Sequence, residues 1–238
     1  MSEILKVQGV GKAYDGRGHQ VRVLEDVNFV LNAGETAAIV GPSGSGKTTL
    51  LSLCAGLDTP TQGKLELLGH DLAALSEEQR AALRNRHVGF IFQSFHLMPS
   101  LTALENVMLP RELAGVGRPA QEARELLDQV GLADRADHYP AQLSGGEQQR
   151  IAIARAFINQ PMVLFADEPT GNLDRATSDR VTELLFRLNT EKGTTLALIT
   201  HDLGLARMTS RLFHLKQGRV VEEIAGREQS SGRREVAP

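Results

Sequence analysis

The chain has 238 residues, of which 41% are hydrophobic, so it can bury a core without disulfides or metal staples. Its formal net charge is -3, so the composition does not show the basic excess that is typical of nucleic-acid-binding proteins. The apolar stretches are shorter than a membrane span and the first residues lack a signal peptide, which favours a cytoplasmic protein without direct membrane insertion. The single cysteine, Cys54, excludes an internal disulfide or a cysteine-rich zinc site.

Short apolar runs alternate with helical patterns along the chain. This alternation predicts an α/β fold in which helices connect parallel strands. Helices are expected in most of the gaps between strands. The predicted strands are residues 4–10, 24–31, 36–40, 64–67, 88–92, 162–166, 195–200, 211–215 and 219–222.

One stretch interrupts this alternation. Residues 101–130 carry a helical pattern, and no convincing strand follows before Leu143. We therefore expect a helical subdomain over residues 94–160, inserted into the core of a single domain that spans residues 2–223. Residues 224–238 are polar and poor in apolar side chains, so we expect them to form a disordered tail.

The first glycine-rich segment, residues 41–48, lies between a predicted strand and a helical stretch and fits the phosphate-loop pattern G-x-x-x-x-G-K-[ST]. Its glycines let backbone N–H groups turn inward around phosphates, Lys47 can reach the terminal phosphates, and Thr48 offers a hydroxyl to magnesium. A glycine-rich turn that merely joins strand to helix is the alternative. The expected nucleotide contacts here are Gly41, Pro42, Ser43, Gly44, Ser45, Gly46, Lys47, Thr48 and Thr49.

Two acids follow the apolar run 162–166, which is typical of a central parallel strand. Charges at the carboxyl end of such a strand face the ligand crevice. Asp167 is suited to hold the magnesium shell, and Glu168 is suited to polarise the water that attacks the terminal phosphate. The alternative is that one acid caps a helix and the other is a solvated charge.

The second glycine-rich helix start, Ser144-Gly145-Gly146-Glu147, also fits the capping box S-x-x-E, in which serine and glutamate satisfy the first N–H groups of a helix. Paired glycines cost a helix about 1 kcal/mol each relative to alanine. Close approach of a phosphate would explain them. The chain therefore presents two anion-seeking helix starts.

These motifs together resemble the ATP-binding subunit of ABC transporters. They are the phosphate loop, residues 143–150 (Leu-Ser-Gly-Gly-Glu-Gln-Gln-Arg), residues 167–170 (Asp-Glu-Pro-Thr) and His201. The resemblance covers nearly all of residues 2–223. It implies a P-loop NTPase of the ABC type, with a mixed sheet core, an antiparallel β portion and an inserted helical subdomain.

The resemblance also implies ATP and Mg²⁺ as ligands and a second copy of the chain as a partner. In that family the serine-glycine-glycine segment of one subunit caps the ATP held by the phosphate loop of the other. Ser144, Gly145 and Gly146 would then complete the site of a second copy in an ATP-sandwich dimer.

Four further positions receive roles from the resemblance. Tyr14 would stack on adenine, with a surface tyrosine as the alternative, and Gln93 would contact magnesium and water, with an edge glutamine as the alternative. His201 would hydrogen-bond the terminal phosphate. Asp174 would communicate across the dimer, and local helix capping explains it equally well. The expected catalytic residues are Lys47, Gln93, Glu168 and His201, and the expected magnesium contacts are Thr48, Gln93 and Asp167.

Residues 92–109 are unusually apolar for a segment that leaves an active site. Phe95, Leu97 and Met98 could form a groove for a short helix of an integral-membrane permease, with core packing as the alternative. The chain would then lie at the inner face of the cell membrane, held there by that permease.

Three segments resemble one bacterial branch of the family, which includes the LolD, MacB and FtsE types, and most of all YbbA-like proteins. The segments are residues 89–93, 104–107 and 166–174. This implies a permease of the MacB/FtsX type and export of lipoproteins, lipids or drugs. The alternative is an ATP-gated regulatory switch that controls an extracytoplasmic enzyme through a membrane partner without transport.

Overall fold

The computed structural model describes residues 2–15, 20–115 and 119–225. The strands in these ranges are β1 (Glu3–Asp15), β2 (Gln20–Asn32), β3 (Thr36–Val40), β4 (Gln62–Leu67), β5 (His70–Asp71), β6 (Val88–Phe92), β7 (Val163–Asp167), β8 (Thr195–Ile199), β9 (Arg211–Lys216) and β10 (Arg219–Ala225). The helices are α1 (Lys47–Cys54), α2 (Glu77–His87), α3 (Ala103–Leu113), α4 (Pro119–Gln129), α5 (Gly145–Phe157), α6 (Arg175–Lys192) and α7 (Leu203–Ala206).

The larger sheet has the order β10-β9-β3-β8-β7-β6. All neighbours in it pair in parallel except β10, which is antiparallel to β9. Strands β3, β7 and β8 are almost continuously apolar because both faces of the sheet are covered. The carboxyl ends of β3, β6, β7 and β8 therefore meet at one edge of this sheet.

The smaller sheet is antiparallel, with the order β2-β1-β4-β5. Strand β1 reaches Asp15, well beyond the predicted end at residue 10, so Tyr14 lies within a strand. Several register shifts interrupt its pairing with β2, and Gly9 adopts a left-handed φ of 58° there. Such bulges break the two-residue alternation by which a strand is recognised in a sequence.

Two hydrophobic cores lie on opposite faces of the larger sheet. Along β7, Leu164 and Ala166 pack into the core shared with α3 to α6, whereas Val163 and Phe165 pack into the core shared with α1 and the smaller sheet. This alternation is the one expected of a strand buried on both faces. The predicted α/β fold is confirmed, including its antiparallel portion.

Between β6 and β7, the described residues form helices α3, α4 and α5 and two short 3₁₀ turns at Ala133–Arg135 and Pro140–Gln142. The division into a domain over residues 2–223 and a subdomain over residues 94–160 stays a prediction. Strand β10 continues to Ala225, so the first two residues of the predicted tail belong to a strand. Residues 226–238 lie outside the described part.

Helix α5 packs so closely on β6 that position 89 has no room for a side chain. A Cβ atom on Gly89 would lie 2.6 Å from the carbonyl oxygen of Ala156 in α5 and 2.7 Å from Cδ1 of Leu164 in β7. We expect Gly89→Ala to lower the free energy of unfolding by about 1–3 kcal/mol, because the added methyl group overpacks this contact. Urea unfolding checks this: the midpoint should fall while the m-value, the control for native compactness, stays constant. An unchanged midpoint would contradict the close packing.

Candidate functional site

The phosphate loop connects β3 to α1 at the carboxyl edge of the larger sheet. Gly44 and Gly46 adopt left-handed φ angles of 77° and 97°, which glycine tolerates best. A Cβ atom on Gly41 would lie 2.1 Å from the carbonyl oxygen of Leu215 in β9. Gly46 is the N-cap of α1 and no side chain caps this helix. The first N–H groups of α1 are therefore suited to bind an anion.

A pocket of about 370 Å³ opens beside this loop. It brings together the start of α1 and the ends of β6 and β7, three elements that are far apart in the sequence. Of the residues predicted for the site, those lining it are Ser43, Gly44, Gly46, Lys47, Thr48, Thr49, Gln93, Asp167 and Glu168. Val23 and Ile199 complete the lining, and no sequence motif had marked either of them.

The remaining loop residues support the pocket instead of lining it. Gly41 lies against β9, and the Pro42 carbonyl accepts hydrogen bonds from the Ser45 N–H, at 3.2 Å, and from Lys47. The Ser45 side chain is only 5% exposed, and its hydroxyl finds no partner among the described residues. The Lys47 ammonium donates to the carbonyl oxygens of Gly41 and Pro42 at 2.9 and 3.0 Å, which holds its charge close to the loop.

Thr48 and Asp167 meet in this pocket. The Thr48 hydroxyl donates to Asp167 Oδ2 at 3.2 Å. Burial raises the pKa of Asp167, and the Glu168 charge raises it further, while the Thr48 hydrogen bond and the Lys47 charge act in the opposite direction.

A hydroxyl and a carboxylate suit Mg²⁺, which prefers oxygen ligands and usually keeps water and substrate phosphates in its shell. Within the described ranges, no group of three or more His, Cys, Asp or Glu side chains could hold a metal ion. The Thr48 hydroxyl and the Asp167 carboxylate therefore fit a magnesium ion as two of its oxygen ligands.

Glu168 is held in a strained backbone conformation. Its φ is 46°, which is uncommon for a residue with a side chain and is frequent at functional sites. Its Oε2 lies 2.9 Å from His201 Nδ1 and accepts the His201 backbone N–H at 3.3 Å. His201 has a largely exposed side chain and does not line the pocket. In this structure His201 therefore contacts the carboxylate of Glu168.

Gln93 connects the end of β6 to the turn that follows Glu168. Its Nε2 donates to Asn172 Oδ1 at 3.0 Å, and Asn172 Nδ2 donates back to the Gln93 carbonyl at 2.9 Å. A Cβ atom on Gly171 would lie 2.9 Å from Gln93 Nε2, so a side chain there would displace the Gln93 amide. Sequence reasoning had marked the segment that contains Asn172 but not this reciprocal amide pair.

Asp174 lies at the start of α6, outside the pocket lining. Its Oδ1 accepts the Thr177 N–H at 3.1 Å, which is the helix-capping role that the sequence had left open. The carboxylate is exposed, and hydrogen bonds from Thr177 hold its pKa below the ordinary value. A role across a dimer stays a prediction.

The second glycine-rich segment forms the capping box that the sequence had allowed. Ser144 Oγ accepts the Glu147 N–H at 3.3 Å, and Glu147 Oε2 accepts the Ser144 N–H at 2.8 Å. A Cβ atom on Gly146 would lie 2.4 Å from Thr177 Cγ2, so contact between α5 and α6 already requires this glycine. Gly145 has no comparable restriction, because its Cβ would meet Phe95 only at 3.6 Å.

The two glycine-rich helix starts do not share a pocket. Ser144, Gly146 and Glu147 line a separate pocket of about 240 Å³ together with residues of α6, and no residue is common to its lining and that of the phosphate-loop pocket. Within one protomer, the structure does not bring the two predicted halves of the site together.

Tyr14 is an exposed ring held at several points. Its hydroxyl donates to Asp58 Oδ2 at 3.0 Å, and the Lys12 ammonium lies 4.8 Å from the ring centroid. Lys12 is itself nearly buried and pairs with Asp58 Oδ1 at 2.8 Å. Sequence reasoning missed Lys12 and Asp58. The strand predicted from the sequence ends at residue 10, so no local pattern pointed to these two residues.

A groove formed by Phe95, Leu97 and Met98 stays a prediction. Leu97 packs against the core shared with α3 to α6, and none of the three residues lines a described pocket. A groove of about 480 Å³ lies beside this segment, and His96 is part of its lining. Its lining includes Phe90, Phe92, His96, Pro110, Leu113 and Arg155.

Arg155 ties this groove to the segment that carries Gln93. Its guanidinium donates to the carbonyl oxygens of Phe95 and His96 at 2.7 and 2.6 Å. Both of these residues have left-handed φ angles, 59° and 49°. Sequence reasoning did not identify Arg155, because a basic residue in the last turn of a helix is typical of an ordinary helix end.

The family model for the ABC transporter family matches residues 24–171 of this chain. The chain is 53% identical over 222 residues to the uncharacterized ABC transporter ATP-binding protein YbbA of Escherichia coli (strain K12), covering 92% of this chain and 97% of that protein. It is 48% identical over 224 residues to the lipoprotein-releasing system ATP-binding protein LolD of Nitratidesulfovibrio vulgaris, covering 92% and 95%. It is 45% identical over 238 residues to the macrolide export ATP-binding/permease protein MacB of Rhodopirellula baltica, covering 98% of this chain and 35% of that protein.

A solved structure gives the same result for the fold. The dimeric structure of a post-hydrolysis state of the ATP-binding cassette MJ0796 bound to ADP and Pi superimposes with a TM-score of 0.88 at 39% identity, covering 94% of this chain and 100% of that one. The predicted P-loop NTPase fold of the ABC type and the predicted bacterial branch are confirmed.

We expect Tyr14→Ala to weaken ATP binding about 5- to 150-fold, because stacking of a base on an aromatic ring contributes about 1–3 kcal/mol. Tyr14→Phe should retain most of the affinity, since it keeps the ring and loses only the hydrogen bond to Asp58. Equilibrium titration with a fluorescent ATP analogue measures both. Tyr139, the second of two tyrosines and also exposed, supplies the matched control Tyr139→Ala. Equal affinities for Tyr14→Ala and this control would rule out stacking.

Proposed function

Because this chain belongs to the ABC transporter family and is an ATPase like the ATP-binding subunits of that family, we propose that two copies bind two ATP molecules between them. This dimer would drive a membrane permease of the MacB/FtsX type. The observation that carries this proposal is the separation of the phosphate-loop pocket from the Ser144–Gly146 helix start within one chain. The dimer of the solved cassette MJ0796, bound to ADP and Pi, supports it.

The phosphate loop binds the nucleotide through the first N–H groups of α1. Lys47 supplies positive charge for the transferred phosphoryl group, which is the main catalytic resource in such reactions. Thr48, Asp167 and Gln93 would hold Mg²⁺, which neutralises phosphate charge when it is bound. Tyr14 provides a stacking surface for adenine, and its ring is already held by Asp58 and Lys12.

Glu168 is the general base in this proposal. Its carboxylate lines the same pocket as Lys47 and can accept a proton from the attacking water. His201 contacts that carboxylate and hydrogen-bonds the terminal phosphate once a nucleotide is bound. Ser144, Gly145 and Gly146 of each copy complete the pocket of the other, and Asp174 lies at the same surface.

The groove between α2, β6 and α5 is the proposed docking site for the permease. Phe90, Phe92, Pro110 and Leu113 give it an aromatic and aliphatic surface, and Leu113 is 72% exposed. The polar side chains in its lining are Arg84, Asn85, His96, Arg155 and Asn159. In the described ranges, no helix is both long and apolar enough to cross a bilayer. The chain would work at the inner face of the membrane in export of lipoproteins, lipids or drugs; its relatives LolD, of a lipoprotein-releasing system, and MacB, of macrolide export, support this assignment.

Substrate flux tests the transport step. The chain is reconstituted in vesicles with the permease encoded by the adjacent gene, and ATP-dependent export is measured. ATP hydrolysis that changes the activity of an extracytoplasmic enzyme without any flux would replace transport by the regulatory alternative.

We expect Glu168→Gln to abolish turnover while ATP still binds, because the amide keeps the shape of the carboxylate but cannot accept the proton. An ATP-trapped dimer should then elute earlier than the monomer in size-exclusion chromatography. Glu191→Gln, at the exposed far end of α6, makes the same chemical change as a control and should behave as the wild type. A monomeric Glu168→Gln variant at saturating ATP would count against the dimer.

We expect Lys47→Ala to lower ATPase activity on the order of a hundredfold or more, because the charge that stabilises the phosphoryl group is removed. Steady-state phosphate release measures the effect. Lys192→Ala, again at the exposed end of α6, is the control for loss of a lysine elsewhere. Near-normal activity of Lys47→Ala would exclude this lysine from the site.

A further inference from the structure

Gln149 is a glutamine with no exposure to solvent. It lies in α5, and its Nε2 donates to the carbonyl oxygen of Pro169 at 2.5 Å. Its Oε1 is buried and finds no partner among the described residues. The mechanism described above does not use this side chain.

A buried amide of this kind carries a cost. Leaving its oxygen unpaired costs the lost hydration of that atom, whereas an apolar side chain of similar shape would avoid that loss. Further along α5, the residues from Ile151 to Ala154 are all buried and apolar. Packing alone therefore gives no reason for glutamine at this position, and its single hydrogen bond has to supply one.

That hydrogen bond reaches the residue directly after Glu168. The backbone of Glu168 is in the left-handed region at φ 46°, and such a conformation persists only where its surroundings hold it. On one side, the Glu168 N–H donates to the Ile199 carbonyl in β8 at 2.9 Å. On the other side, Gln149 holds the Pro169 carbonyl from α5. The strained turn is thus fixed between β8 and α5.

The same helix begins at the second glycine-rich segment. Gln149 follows Gly145 by four residues, which is about one helical turn, so both lie on one face of α5. One rigid helix therefore joins the Ser144–Gly146 start to the turn that carries Glu168 of the same chain.

We propose that Gln149 is a positioning residue: its hydrogen bond to the Pro169 carbonyl holds the turn that aims the Glu168 carboxylate into the phosphate-loop pocket and links that aim to the start of α5. This inference rests on the proposed role of Glu168 as general base. Gln149 itself contacts neither the pocket nor the phosphate loop.

Two variants of the full chain test it. Gln149→Met keeps the length of the side chain without the amide, and Gln149→Glu keeps its shape without the N–H donor. We expect kcat for ATP hydrolysis to fall at least about tenfold in both, since small misplacements of a catalytic group are costly. KM and the affinity for a fluorescent ATP analogue should change less than about twofold, because the phosphate loop is untouched.

Hydrogen exchange gives a second readout. In both variants the amides of residues 168–173 should exchange faster with solvent, while those of residues 41–48 stay as in the wild type. Asn189→Leu is the matched control, since Asn189 on α6 is also a buried amide whose oxygen lacks a partner among the described residues. A purely structural amide predicts lower stability in all three variants and an unchanged kcat for the folded fraction.

The outcomes separate the two proposals. If Gln149→Met and Gln149→Glu turn over at the wild-type rate while Glu168→Gln is inactive, the positioning role is wrong and the general base stands. If Glu168→Gln turns over normally, the proposed function itself fails. Failure of both Gln149 variants to fold, with a folded Asn189→Leu control, would overturn the positioning role and assign Gln149 to stability.

Discussion

Parallel pairing of β3, β8, β7 and β6 is the constraint on which the rest of this structure depends. These strands run in the same direction with matched ends, so Gly41 after β3, Asp167 at the end of β7 and Gln93 after β6 are all delivered to one edge. Burial on both faces fixes their register, because a slip by one residue would exchange the two hydrophobic cores. The positions of the polar groups in the pocket are therefore fixed by the apolar cores on the two faces of the sheet.

Helix α5 connects the parts of this arrangement that the sheet does not. Its start holds the capping box of Ser144, its middle hydrogen-bonds Pro169 through Gln149, and Arg155 near its end holds the carbonyl oxygens of Phe95 and His96. One helix thus contacts the turn after Glu168 and the turn after Gln93, and it also lines the groove that contains Arg155. These three contacts are all made by one helix of 13 residues.

The sequence predicts those features that local patterns encode. Apolar runs located the strands of the larger sheet, and the phosphate-loop pattern located nine candidate contacts, but β5 has two residues and leaves no pattern. Lys12 and Asp58 meet only because β1 continues past its bulges, and Gln149 reaches Pro169 across 20 residues. The sequence explains only part of the glycine pair. A side chain at Gly146 would collide with Thr177, and no local motif connects these two residues.

That contact between Gly146 and Thr177 has a consequence for association. It fixes the start of α5 against the first turn of α6, where Ser144 and Asp174 each cap their helix. Both helix starts are thus capped and packed by contacts within one chain. A surface that is already rigid loses little conformational entropy on binding, so more of the interaction energy is available as affinity.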